Sequence, residues 1–557
     1  MNGSSTCQIV SDVSIATVLR FSKSVFYVVM GEQTERDGLF ISGSNGYRVQ
    51  NTALSESRAV RQSGWSFRLV TAAVATTIGA SLPVGYNIGV VNAPADMIKV
   101  FCNESVYTRY DAVMSHAELD VLWSTIVSVF LVGGITGSLS GSWLADTVGR
   151  KGVYIISAVL HILGGVMFYA CVPANSVEML LLGRLLVGLA GGLITGIVPM
   201  YLTELSPVQL RGAMGVMCPL GLTFGVLVAQ VAGLREILGT EETWPHLLSF
   251  FVILVAMCGL VTPILPESPK YLYVVRKQPQ LALKELSKIR GLPISSLTDE
   301  VLDLQQAQRT DEQTGISWNI ATVVKDKELL LPLLLVCAMQ AGQQFSGINA
   351  VFYYSVSIFK TTGLNEQQSQ LANIGCGSAN LLMGIVSIFL MSHCNRRKLF
   401  LISCVTASIF LILLGLSIAF IESLFWMSYV SIVSILSFVL FYGLGLGPIP
   451  YFVGSELFEV GPRPSAMALG SMSNWGGNFI VGMTFPTLQS VIGPGAFGIF
   501  ACITMALFFF VRKYLPETRG RDPSDIAVLC KHGLRSRPLD SASSSNTEEV
   551  TDMKSVN

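Results

Sequence analysis

The chain repeats itself, and each repeat sits at the end of a long uncharged stretch. ADTVGRKGVYIIS at 145–157 is answered by HCNRRKLFLIS at 393–403. PMYLTELSPVQLRGAMG at 199–215 is answered by PYFVGSELFEVGPRPSAMALG at 450–470, and LPESPKYL at 265–272 by LPETRGR at 515–521. An uncharged run of about 20 residues is long enough to cross a bilayer as a helix, where every backbone polar group is satisfied internally. The repeats therefore predict two equivalent sets of membrane spans. Only 13% of the residues are charged, well under the quarter usual in soluble domains.

Six spans are expected near 69–92, 121–145, 152–172, 179–202, 212–234 and 244–265. Six more are expected near 329–358, 368–391, 399–421, 425–454, 464–489 and 495–511, with Gly493-Pro494-Gly495 dividing the last two. The reading is an all-α membrane protein of twelve transmembrane helices in two pseudo-symmetric six-helix bundles. Its parts are a tail at 1–65, a first bundle at 66–265, a polar helical loop at 266–327, a second bundle at 328–515 and a tail at 516–557. Within the loop, 281–292 has helical spacing, and 301–308 is expected to continue it.

Of the 36 Lys and Arg residues, only Lys99, Arg109, Arg235 and Lys360 fall in odd-numbered loops, and Arg184 lies inside a span. The positive-inside rule then places both termini and the central loop in the cytoplasm. Net charge is zero, which gives no reason to expect nucleic acid. No P-loop string is present, and the 11 cysteines follow no metal spacing, so no cofactor or metal is expected. Cys102 and Cys171 fall on the outer side and are candidates to pair. Asn103-Glu104-Ser105 in the first outer loop is a glycosylation sequon. Two equivalent halves with a solute site between them is the plan of a secondary transporter, not of an enzyme.

The motifs are more specific than the plan. GYNIGVVNAP (85–94), DTVGRK (146–151), PESPK (266–270), QQFSGINAVFYYS (343–355), GPIP (447–450), SNWGGNFIVGM (473–483) and PETRGR (516–521) occur in order with the strings above. From about 66 to 530 the chain resembles the sugar porters of the major facilitator superfamily, most closely the animal facilitative glucose transporters. The resemblance implies a plasma-membrane uniporter of hexose, with D-glucose first. A carrier of another small sugar or polyol, or a sugar sensor that does not transport, stays open beside it.

A sugar is neutral and covered with hydroxyls, so its site needs amides and an aromatic face. The seventh span offers them, with Gln340, Gln343 and Gln344 on one face by i, i+3, i+4 spacing. By resemblance Gln343, Gln344, Asn349 and Asn380 match sugar-binding amides, and Tyr451, Trp475 and Asn478 complete the site. The pathway and its gate are expected at Asn87, Asn92, Thr223, Phe352, Tyr353 and Tyr354. Three positions depart from the family pattern: Pro219 replaces a Gln, Gly443 a Glu and Tyr451 a Trp. Proton-coupled relatives carry an acid where Asn87 stands, and an amide cannot titrate near neutrality. Passive exchange is therefore expected.

The repeated charges predict a cytoplasmic latch. Glu204, Arg211 and Glu267 are expected to meet Asp146, Arg150 and Lys151 in the first half. Glu456, Arg463 and Glu517 are expected to meet Arg396 and Arg397 in the second. The string SHCNRR at 392–397 lacks the acid that Asp146 supplies, so the second latch should be looser.

Overall fold

In the computed structural model the described residues are 65–314, 318–352, 359, 365–421, 423, 424 and 426–530. Among them every regular element is helical. Eight helical stretches are long and apolar enough to cross a bilayer on length and composition. One of these, within helix His116–Ala170, holds two spans, because the helix bends at Gly149. Gly149 has φ +82, a left-handed conformation that costs glycine little. A Cβ there would also meet the Glu267 carboxylate at 2.4 Å.

The first span, Phe67–Gly89, starts on a Ser66 N-cap and widens into a π-turn over Thr77–Ser81, just before Pro83. Proline has no N–H to donate to the preceding turn, which accounts for the local widening. Val177–Leu205 is the fourth span, Arg211–Ala232 the fifth and the shorter Trp244–Gly259 the sixth. The second half follows with Leu330–Phe345, Glu366–His393, Arg396–Ala419, Met427–Leu457, Arg463–Ile492 and Gly495–Tyr514. The tenth of these spans breaks at Gly445, whose φ/ψ of −155/−44 is not helical. Gly493 separates the eleventh from the twelfth.

Two apolar cores result. One is drawn from the first six spans, the other from the last six. Each accepts a side chain from across the divide. Tyr451 and Trp475 enter the first core, and Val216 enters the second. Trp475 fits because Gly134 faces it, where a Cβ would lie 2.4 Å from the indole. The halves meet along the second and eleventh spans and along the fifth and eighth.

The central loop forms Pro279–Arg290, Thr298–Thr314 and the short Ile320–Lys325. The segments 281–292 and 301–308 fall in two separate short helices. Gly291 is left-handed (φ +65) and closes the first, and Pro293 keeps the chain extended before the second. The first two pack with the preceding turn Tyr271–Val275, and together they bury Tyr271, Leu272, Ala282, Leu286, Leu297 and Leu304. Arg290 ties them to the fourth span by donating to the Leu205 carbonyl at 2.8 Å.

The loop between the first and second spans also folds, as helix Ala95–Tyr110. Asn103 is exposed on it, while the Ser105 hydroxyl is buried and donates to the Asn175 carbonyl at 2.8 Å. Cys102 and Cys171 are buried, unjoined thiols.

Candidate functional site

Two polar systems stand out between the halves. One lies at the charged ends of the spans, the other in the middle of the bundle.

At the charged end the two halves use the same wiring. Glu267 accepts from the backbone N–H groups of Arg150 and Lys151, and Glu517 accepts from those of Arg396 and Arg397. These carboxylates cap the helix starts behind the bends, where free N–H groups favour an anion. Arg150 bonds Glu204 through Nε (3.1 Å) and Nη2 (3.3 Å), and Arg396 bonds Glu456 through Nη2 (3.2 Å). Each arginine also donates to a carbonyl five residues back, Ala145 or Met391. Ser268 and Thr518 donate to the same two glutamates. Lys151 and Arg397 donate to the Leu265 and Arg512 carbonyls.

The halves differ in detail. Asp146 adds a 3.7 Å contact to Arg150, whereas Ser392 stands at the equivalent place. Arg396 makes one bond to its glutamate, and its buried Nε has no partner in the described structure.

Two arginines do not sit where the sequence put them. Arg211 turns away from the first-half acids and pairs with Asp522 beyond the twelfth span, at 3.2 Å. Arg463 turns away from Glu456 and reaches Glu204 of the first half at 3.5 Å. Its Nε and Nη2 donate to the Phe458 carbonyl. The reason is positional. Both arginines start the spans that border the divide, so the nearest carboxylate belongs to the opposite half. The charged end is thus closed by a chain running Arg150, Glu204, Arg463 across the halves.

In the middle of the bundle lies a cavity lined by residues of both halves. Gln343, Gln344, Asn349, Asn380, Tyr451, Trp475 and Asn478 all line it, together with Thr223 and Phe352. Asn87 and Asn92 do not. Asn87 is fully buried and donates to the Pro83 carbonyl at 2.8 Å, while the next residue, Ile88, faces the cavity. Asn92 is exposed in the turn after the first span. Tyr353 and Tyr354 lie outside the described residues. No carboxylate lines the cavity among the described residues.

The amides divide into two groups. The first holds the broken tenth span. Gln340 donates to the Pro450 carbonyl at 3.0 Å, and Gln343 donates to those of Leu446 and Gly447. Asn474 donates to Gln340 Oε1 (2.8 Å) and Gln343 Oε1 (2.6 Å). Carbonyls freed by a helix break inside a membrane need such partners. Gln340 is therefore behind the wall, not on it.

The second group faces the space. Gln344 donates to Asn474 and accepts from Asn349. Asn380 is 7% exposed, lines the cavity and forms no hydrogen bond among the described residues. An amide left in that condition is costly unless a solute or water completes it. Trp475 presents its ring, but its indole N–H is already spent on Thr195 Oγ1 at 2.9 Å. Sequence reading passed over Ser387, Tyr442 and Pro448 on the wall. Only the fold of the eighth and tenth spans brings them there.

Residues 72–529 match the family model described as sugar (and other) transporter. The chain is similar to facilitated glucose transporter member 1 of solute carrier family 2 from Gallus gallus, 39% identical over 468 residues, covering 84% of this chain and 94% of that one. It is similar to member 3 from Rattus norvegicus, 40% identical over 463 residues, covering 82% and 92%. Among solved structures it resembles the proton:xylose symporter XylE, at a TM-score of 0.71 and 23% identity, over 83% of this chain and 98% of that one. XylE from E. coli in its inward-open form matches at 0.60.

Proposed function

The chain belongs to the sugar transporter family, and on that premise we propose that it is a passive carrier of hexose, with D-glucose as its first candidate substrate. It is a multi-pass membrane protein of the major facilitator fold, and its family comprises transporters, not enzymes. The observation that carries the substrate reading is the cavity wall. Among the described residues it is uncharged, and it offers Asn380, which forms no hydrogen bond among them, along with Asn349 and Gln344. Neutral amides facing a central space suit a solute that both donates and accepts hydrogen bonds.

We place the charged end in the cytoplasm and the membrane at the cell surface, with both termini inside. The Arg150–Glu204–Arg463 chain then works as a latch. It holds the halves together while the inner side is shut and separates when that side opens, giving alternating access. Asn103 is assigned as a glycosylated residue of the outer helix. No carboxylate lines the cavity among the described residues, which favours uniport, since coupling to protons needs a group that gains and loses one near neutral pH. Uptake of D-glucose into vesicles with the internal pH followed tests the reading. Saturable uptake without acidification is expected, and no uptake, or uptake with acidification, would reject it.

A further inference from the structure

The cavity wall is polar on one side only. Every side-chain amide on it comes from the second half: Gln343, Gln344, Asn349, Asn380, Asn474 and Asn478. The first half presents hydrocarbon from Ile88, Val216, Pro219, Leu220, Leu222 and Val226, and just two hydroxyls. Neither hydroxyl has a proton to offer. Thr223 donates to the Leu220 carbonyl at 2.9 Å. Thr195 lies 3.0 Å from the Gly191 carbonyl and 2.8 Å from the Ser471 hydroxyl, and it already accepts from Trp475. Among the described residues, the first half therefore aims no free donor into the cavity.

Pro219 makes this side inert in two ways. Its ring is apolar, and it brings no backbone N–H. It sits inside the fifth span and on the cavity wall, with Val226 two turns further along the same helix and on the same wall.

A monosaccharide in this space turns its hydroxyls to the second-half amides. The edge that faces the first half meets carbon. A hydroxyl on that edge gives up hydration without a partner, while a C–H there loses nothing. Resting on the hexose reading above, we infer that Pro219 and the apolar wall around it make this site discriminate against a hydroxyl at one ring position, so that sugars with a deoxy position on that edge are favoured ligands.

The test uses the purified full-length chain, with equilibrium binding of D-glucose and each of its monodeoxy analogues by calorimetry. At one position the deoxy analogue should bind at least as tightly as D-glucose. Pro219→Gln, which adds a donor and an acceptor to the wall, should improve D-glucose relative to that analogue by about three- to tenfold. Ratios at the other positions should move less than about twofold. Pro219→Ala, which alters the backbone and adds no polar group, should leave all ratios in place. If Pro219→Gln does not fold, Val226→Asn supplies the same readout from the same wall. Ratios unmoved by either polar substitution, or moved equally by Pro219→Ala, overturn the inference. Flux is measured on the same protein: binding without transport refutes the carrier reading alone, and no binding of any of these sugars refutes both.

Discussion

Replacing Arg463 by methionine should open the charged end. Arg463 is 3% exposed, and its Nη1 lies 3.5 Å from a Glu204 side chain with no exposed surface. Its other two bonds go to the Phe458 carbonyl within its own half. Those are lost in open and closed forms alike and cancel from the equilibrium between them. Glu204 keeps Arg150 and Ser268 in both forms. What remains is one hydrogen bond between charged groups, worth about 1.5–3 kcal/mol. The closed form should therefore lose roughly 10- to 150-fold in population relative to the open one. The Arg211–Asp522 pair offers an internal comparison. Asp522 is 45% exposed, so Asp522→Asn should shift the equilibrium by about 0.2–1 kcal/mol, under about sixfold. Spin labels at the exposed Val148 and Asn395, one on each half, report the separation by pulsed electron resonance in a background without other reactive cysteines. A longer distance should dominate in Arg463→Met and remain minor in Asp522→Asn. An unchanged distance distribution in folded Arg463→Met would refute the latch.

Asn380→Ala should weaken D-glucose binding about three- to tenfold with thermal stability kept, because the amide has no partner in the described protein to lose; equal affinity would remove it from the site. Lys270 is half-buried at the charged end, and burial, with Arg211 and Arg463 beside it, lowers its pKa to about 7. Opening to water would return it toward the ordinary lysine value, so the open form takes up a proton first as pH falls from about 10. The same label distance should thus shift progressively toward open down to about pH 7 and level off below. Lys270→Met should flatten that profile, and a profile identical to the parent's would exclude Lys270 as its source.

The spans were legible because charge is absent from them: the dividing Gly493 and the bend before Arg150 fall where Gly and charge interrupt apolar runs. The repeated acid–base pairs were legible as motifs, and Arg150–Glu204 and Arg396–Glu456 form. What was not legible depends on tertiary distance. Arg211 and Arg463 pair across the divide, and no spacing along the chain encodes that. Gln340 and Gln343 follow the same helical face as Gln344, yet the break at Gly445 draws both amides to backbone carbonyls of the tenth span. Asn87 was assigned to the pathway, but one residue of helical rotation puts Ile88 there instead. The helix Ala95–Tyr110 was missed because its apolar residues, Ile98 and Cys102 among them, are too few to mark a stripe.

The most direct measurement of the central claim is sugar-driven flux in vesicles that hold the purified chain and a trapped pH dye. The account predicts saturable uptake of D-glucose in preference to L-glucose, accelerated by sugar preloaded on the opposite side, with no change in internal pH. D-glucose uptake accompanied by acidification, or vesicles of folded protein that pass neither enantiomer, would contradict it.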